Sequence, residues 1–149
     1  MTRRVLHPTD FSKASNAAFA RSLAEARASR ADLVLVHVLA PVMPIAGTSG
    51  AYVPLSVYEQ MNASARAWAR KQLDRLVARA RTAKVRARGL LLEGVAHEQI
   101  VRTAKRQRAD MMVMGTHGRT GIARFFLGSV AARVTAMAPC PVLTVRGRT

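Results

Sequence analysis

Leu33-Val34-Leu35-Val36-His37-Val38-Leu39 carries the clearest structural signal in the chain. Six of these seven residues are apolar and they do not alternate with polar ones. A strand with one wet face alternates, whereas a strand covered on both faces reads as a continuous apolar run. The segment therefore belongs inside a parallel sheet with helices above and below it.

The flanking sequence supplies the helices. Upstream, Val5-Leu6 leads into Pro8-Thr9-Asp10, a short first strand and its exit turn. Asp10 or Ser12 can cap the next helix by accepting a backbone N–H. Phe19, Leu23 and Ala26 then recur at helical spacing, with Lys13, Arg21, Glu25 and Arg27 facing away. Downstream, 40–55 is rich in Pro, Gly and Ser, a long loop of the kind that is more often functional than filler.

A second helix is expected from about Ser56 to Arg81, with Met61, Ala65, Trp68, Ala69, Leu73, Leu76 and Ala80 on its apolar face. Val85-Arg86-Ala87-Arg88 alternates before Leu90-Leu91-Leu92, as an edge strand does. Ile100, Val101 and Ala104 mark a third helix, whose outer face carries Arg102, Lys105, Arg106 and Arg108. Met111-Met112-Val113-Met114 is the fourth strand. A glycine-rich turn, a fourth helix holding Val130, Val134 and Met137, and the strand Val142–Val145 complete the chain.

Alternation of strand and helix predicts an α/β fold: an open, doubly wound, five-stranded parallel sheet with helices on both faces. Ligands of such sheets bind outside the carboxyl ends of the strands, where the strand order reverses. Asp10, Val38-Leu39 and Gly115 fall on that edge.

The chain has 149 residues, which predicts one domain over residues 1–149. Half of the residues are hydrophobic, which excludes intrinsic disorder. The single Cys140 excludes an internal disulfide and a zinc cluster, and fits a reducing compartment. After Met1-Thr-Arg-Arg, Val5-Leu6 gives way at once to His7-Pro8, so no signal peptide is expected. The uncharged stretch between Asp32 and Glu59 is broken by Pro41, Pro44, Gly47, Gly50 and Pro54, so no membrane span is expected either. A cytoplasmic location follows.

The net charge is +16, and twenty of the 24 cations are arginines. Such a field draws anions, although a solvated face enriched in Arg reads the same way. The eight acids are scattered, with no pair placed for glycosidase or two-metal chemistry.

Gly115-Thr116-His117-Gly118-Arg119-Thr120-Gly121 follows the fourth strand, and Gly128-Ser129-Val130 opens the fourth helix. Glycines at a strand exit let the backbone approach a ligand without a Cβ in the way. The free N–H groups and positive end of the helix make an anion site. Ser129 adds a donor, and Arg119 adds a charge for a phosphate or a hydrogen bond for a ribose. A P-loop would need Lys before Ser/Thr, and the dinucleotide fingerprint would need G-x-G-x-x-G after the first strand; neither is present.

Pro8-Thr9-Asp10-Phe11-Ser12, Val36-His37-Val38, the segment Val113–Gly121 through Leu127–Ala131, and Ala138-Pro139-Cys140-Pro141-Val142-Leu143 together resemble the universal stress protein family. The resemblance covers essentially the whole chain. It implies that family's fold, which is adenine-nucleotide α-hydrolase-like. The spacing G-x2-G-x9-G-[ST] is similar to the family's ATP-binding signature, so the resemblance implies ATP, with or without Mg2+, as the ligand. It assigns Asp10 and Val38, beside Pro8 and Thr9, to the adenine region, Val38 through its backbone. Asp10 would also help position the ribose or a metal. Met114, Gly115 and Gly118 would flank ribose and phosphates, with His117 and Arg119 in the same loop, and Gly128, Ser129 and Val130 would hold the outer phosphates. Family members commonly dimerise by pairing the last strand, here Val142 to Val145.

Other residues carry plainer readings. His7 and His37 are expected to be packed core residues, and His97 structural. His117 points either to solvent or to phosphate. Cys140 reads as a small buried residue, Met111, Met112 and Met114 as sheet core, and Ser129 has no base in a nucleophile-elbow pattern. The expected function is an ATP-binding stress-response protein whose nucleotide regulates rather than reacts, with no catalytic residues and no structural metal. The alternatives are a basic nucleic-acid-binding module and a slow ATPase or nucleotidyl-transfer enzyme.

Overall fold

The computed structural model describes residues 3–44, 53–117 and 127–147. Within them strands and helices alternate as β1 (Arg4–Pro8), α1 (Lys13–Ser29), β2 (Asp32–Leu39), α2 (Leu55–Thr82), β3 (Ala87–Glu93), α3 (Ala96–Gln107), β4 (Met111–Gly115), α4 (Ser129–Met137) and β5 (Val142–Val145). The sheet order is β3-β2-β1-β4-β5 and every neighbouring pair is parallel.

The apolar run of β2 is explained by its neighbours. Leu33 and Leu35 point into a core with Phe19 of α1 and Leu73 of α2. Val34 and Val36 point the other way, into a core with Ile100 of α3 and Val134 of α4. Both faces are dry, so neither set of alternate positions can be polar. β3 is an edge strand, as its sequence pattern predicts, and Gly89 within it lets α2 approach. A Cβ at position 89 would stand 2.7 Å from Leu73 Cγ.

α1 begins where Ser12 caps it: Ser12 Oγ accepts from the Ser15 N–H at 3.2 Å. α2 departs from expectation in what it buries. Its predicted apolar stripe is covered only from Ala69 onward, while Met61 is 50% and Trp68 44% exposed. Twenty-eight helical residues span about 42 Å, and the seven residues of β3 only about 23 Å. The first half of α2 therefore overhangs the carboxyl edge of the sheet. Cys140 is half-buried rather than buried, and desolvation, helped by the Asp110 charge, pushes its thiol up. No helix among the described residues is long and apolar enough to cross a membrane.

Candidate functional site

β1 pairs β2 on one side and β4 on the other, and the strand order reverses there. At the carboxyl ends of these strands lies a cleft of about 250 Å³, near the lower end of small-ligand sites, which run to about 300–1,000 Å³. Ten of the twelve residues singled out from the sequence line it: Pro8, Thr9 and Asp10 from β1 and its exit; Val38 from β2; Met114, Gly115 and His117 from β4 and its exit; and Gly128, Ser129 and Val130 at the start of α4. Gly118 and Arg119 lie outside the described residues.

The exit of β1 is tied down by its own side chains. The Thr9 N–H donates to the Val36 carbonyl at 2.8 Å. Asp10 Oδ1 accepts from the Ser12 N–H at 2.9 Å and from the Ser15 hydroxyl at 2.7 Å, and Ser15 Oγ in turn accepts the Asp10 N–H at 3.2 Å. Partial burial works against the Asp10 charge, but the hydrogen bonds from Ser12 and Ser15 outweigh it and hold the carboxyl below its usual range. Asp10 is thus an ionised carboxylate locked to the start of α1.

Gly115 is required by close approach. A Cβ there would stand 3.2 Å from the Ala14 carbonyl carbon of α1. The far side of the cleft is the start of α4, whose N-cap, Gly128, has no side chain to cap the helix with. The Gly128 N–H donates to the Thr116 carbonyl at 2.7 Å, and the first intrahelical bond runs from the Ala132 N–H to the Gly128 carbonyl. The N–H groups of Ser129, Val130 and Ala131 thus precede the helical ladder, on residues that line the cleft. His117 Nδ1 lies 2.9 Å from Thr116 Oγ1, and its buried Nε2 has no hydrogen-bond partner among the described residues.

Several cleft residues escape a sequence reading. Ala96 and Ile100 of α3 supply an apolar wall that looks like ordinary core, and Ser15 and Thr116 are small polar residues buried beside it. His37 is packed, as expected, at 8% exposed, yet it also lines the cleft. Its Nδ1–H donates to the Thr9 carbonyl at 2.7 Å. The Phe11 ring lies 4.5 Å from the His37 ring and 5.4 Å edge-on from Trp68. Phe11 adopts φ 63°, a left-handed conformation no sequence pattern signals. His7 is core: it is fully buried on the α1 face with its Nδ1–H donating to the Val113 carbonyl at 2.8 Å. Desolvation lowers its pKa to about 4, against smaller raising effects from the Val113 bond and the Asp10 charge. Among the described residues no group of three or more His, Cys, Asp or Glu could hold a metal.

The sequence profile of the universal stress protein family matches residues 1–146. The chain belongs to the universal stress protein family. A universal stress protein of Thermus aquaticus is 37% identical over 146 residues, 98% of this chain and 100% of that one. Among solved structures, a universal stress protein of Methanocaldococcus jannaschii superposes with a TM-score of 0.83 at 23% identity, over 100% of this chain and 99% of that one, a likeness of fold. A universal stress protein in complex with cAMP superposes with a TM-score of 0.72 at 25% identity, over 99% of this chain and 98% of that one. In this universal stress protein the cleft at the β1–β4 crevice is the place a ligand of such a sheet would occupy.

Proposed function

We propose that this universal stress protein binds ATP in the cleft and acts as a nucleotide-dependent regulator of the stress response rather than as a catalyst. The observation that carries the reading is the start of α4, whose first amides are uncapped among the described residues and belong to residues lining a cleft with apolar walls. Such a helix start is an anion site, and Ser129 adds a hydroxyl to it. Val38, Ile100 and Ala96 supply apolar surface for a base, and Gly115 and Gly128 line the same cleft. The buried His117 Nε2, unpartnered among the described residues, is a further group for a phosphate oxygen. A relative in the solved structures holds cAMP, which carries the same adenosine moiety.

Asp10 is the one carboxylate among the described residues lining the cleft. Held ionised by Ser12 and Ser15, it is a weak base for activating water, which supports regulation over hydrolysis. Mg2+ would come with the triphosphate, which would supply most of its ligands, and Asp10 is the chain's own carboxylate there. The free Cys140 suits a cytoplasmic setting.

Dimerisation through β5 belongs to the same proposal. β5 is the edge strand beyond β4. The Pro141 and Val145 carbonyls accept from Met112 and Thr116, so the intervening Val142 and Thr144 turn their backbone groups to the free edge.

Mass spectrometry of small molecules released from freshly purified protein tests the reading. An adenine nucleotide carried through purification, or taken up when supplied, is the expected result. A folded sample that neither carries nor takes up one contradicts it. Phosphate release should stay at background, and sustained turnover abolished by Ser129→Ala would make the protein an enzyme.

A further inference from the structure

The cations of the chain are not spread evenly over the fold. The segments that enter the strands form the amino edge of the sheet, opposite the cleft. Arg3 and Arg4 precede and open β1, and Arg27 and Arg30 lie at the turn into β2. Arg81, Lys84 and Arg86 lead into β3, Arg88 is its second residue, and Lys105, Arg106 and Arg108 lead into β4. These eleven cations face two acids in the same segments, Asp32 and Asp110, giving +9 of the chain's +16. All but the half-buried Arg4 are exposed.

Cations at helix C-termini are ordinarily explained by the helix dipole. Here the capping is done by backbone instead. Arg30 and Arg108 sit at the left-handed positions that end α1 and α3, and their own N–H groups cap the preceding carbonyls. Lys84 takes the same conformation after α2. Their φ values are 51°, 49° and 61°, in the region where glycine is the unstrained choice. Three of the four non-glycine residues with positive φ among the described residues are thus cations on one edge. Among the described residues none of the three is within ion-pairing distance of a carboxylate.

Between β1, β2 and β3 this edge forms an open cleft of about 190 Å³ lined by Arg4, Arg86 and Arg88. Arg86 lies 2.8 Å from Asp32 Oδ1, without hydrogen-bond alignment, and Arg4 donates to the Gln107 carbonyl at 2.6 Å. Asp110 Oδ2 accepts the Arg4 N–H at 2.7 Å, so both acids of the edge are engaged.

We propose that this amino edge is a sequence-independent binding surface for the phosphate backbone of nucleic acid. Nine of the eleven cations are arginines, whose planar fork matches a phosphate better than an ammonium does. None of the exposed large apolar side chains of the described residues lies in these segments. A membrane surface would need such anchors, and so would the core of a protein interface. The surface stands at the opposite edge from the cleft, so it does not rest on what the cleft binds.

The test is fluorescence anisotropy of a labelled DNA duplex, titrated at several salt concentrations. The variant Arg30→Gly/Lys84→Gly/Arg108→Gly removes three cations at positions where glycine fits the backbone, so its thermal stability should hold or rise. Its affinity should fall about tenfold or more at moderate salt, and its salt slope by about one for each cation that touches a phosphate. Arg70→Gln/Lys71→Gln/Arg133→Gln removes the same charge elsewhere and should change binding little. Equal losses in both variants, or none in the glycine variant, overturn the proposal. So does wild-type protein that binds phosphatidylserine vesicles but not the duplex.

Discussion

The Gly128 N–H and the Thr116 carbonyl are joined by a 2.7 Å hydrogen bond that draws the start of α4 against the end of β4. Because that amide is used, the anion-binding capacity of the helix start falls to the next residues, Ser129 and Val130, and to the Ser129 hydroxyl. Ser129→Ala should therefore weaken ATP by about tenfold or more, the worth of one hydrogen bond to a charged group, while AMP, which lacks the outer phosphates, loses much less. Parallel calorimetric titrations with the two nucleotides measure the difference, and equal losses would move Ser129 away from the outer phosphates.

His7 makes stability depend on pH. Its folded pKa of about 4 lies below the ordinary histidine value of 6.5, so the unfolded chain binds the proton more readily. Its contribution is complete above about pH 6.5, falls as the pH drops toward about 4, and amounts to something on the order of 3 kcal/mol. Asp10 acts in the same direction at lower pH, since its carboxyl is also held below its usual range. Urea denaturation across this window should show the slope, and His7→Leu should flatten its upper part.

Gly89→Val places a side chain against Leu73, where even a Cβ would stand 2.7 Å from Cγ. Overpacking of this kind costs about 1–3 kcal/mol. Thermal unfolding should record that loss, and Leu73→Ala in the same chain should make the combined cost smaller than the sum of the two.

Thr144→Pro tests the assembly. The backbone N–H of Thr144 is directed to the free edge of β5, so proline there removes nothing from the pairing with β4. Light scattering should show a dimer of the 16.2 kDa chain become a monomer that still unfolds cooperatively, at a melting temperature lowered only by the lost association. A wild-type monomer, or a variant that stays dimeric, would remove β5 from the interface.

The fold is legible because its constraints are local and repeated. The unbroken apolar run of β2 demands helices on both faces, and the glycines after Met114 mark a strand exit, although the close approach at Gly115 is to Ala14 of α1 and not to a ligand as the sequence suggests. What stays hidden depends on distances between elements. Met61 and Trp68 continue the apolar stripe of α2 without a break, and only the length of β3 shows that the sheet ends before reaching them. His37 looks like core because it is core; its place on the cleft follows from the turn of β1 beside it. The left-handed Phe11, Arg30, Lys84 and Arg108 carry no residue-type signal, since each occupies a position where glycine would be the usual indicator.

Calorimetric titration of ATP into the folded, nucleotide-free protein decides whether the cleft is a nucleotide site. Saturable binding at one site per chain, strongly weakened by Ser129→Ala, is the predicted result. Absence of any binding heat at several temperatures, from protein whose unfolding transition is intact, would contradict it.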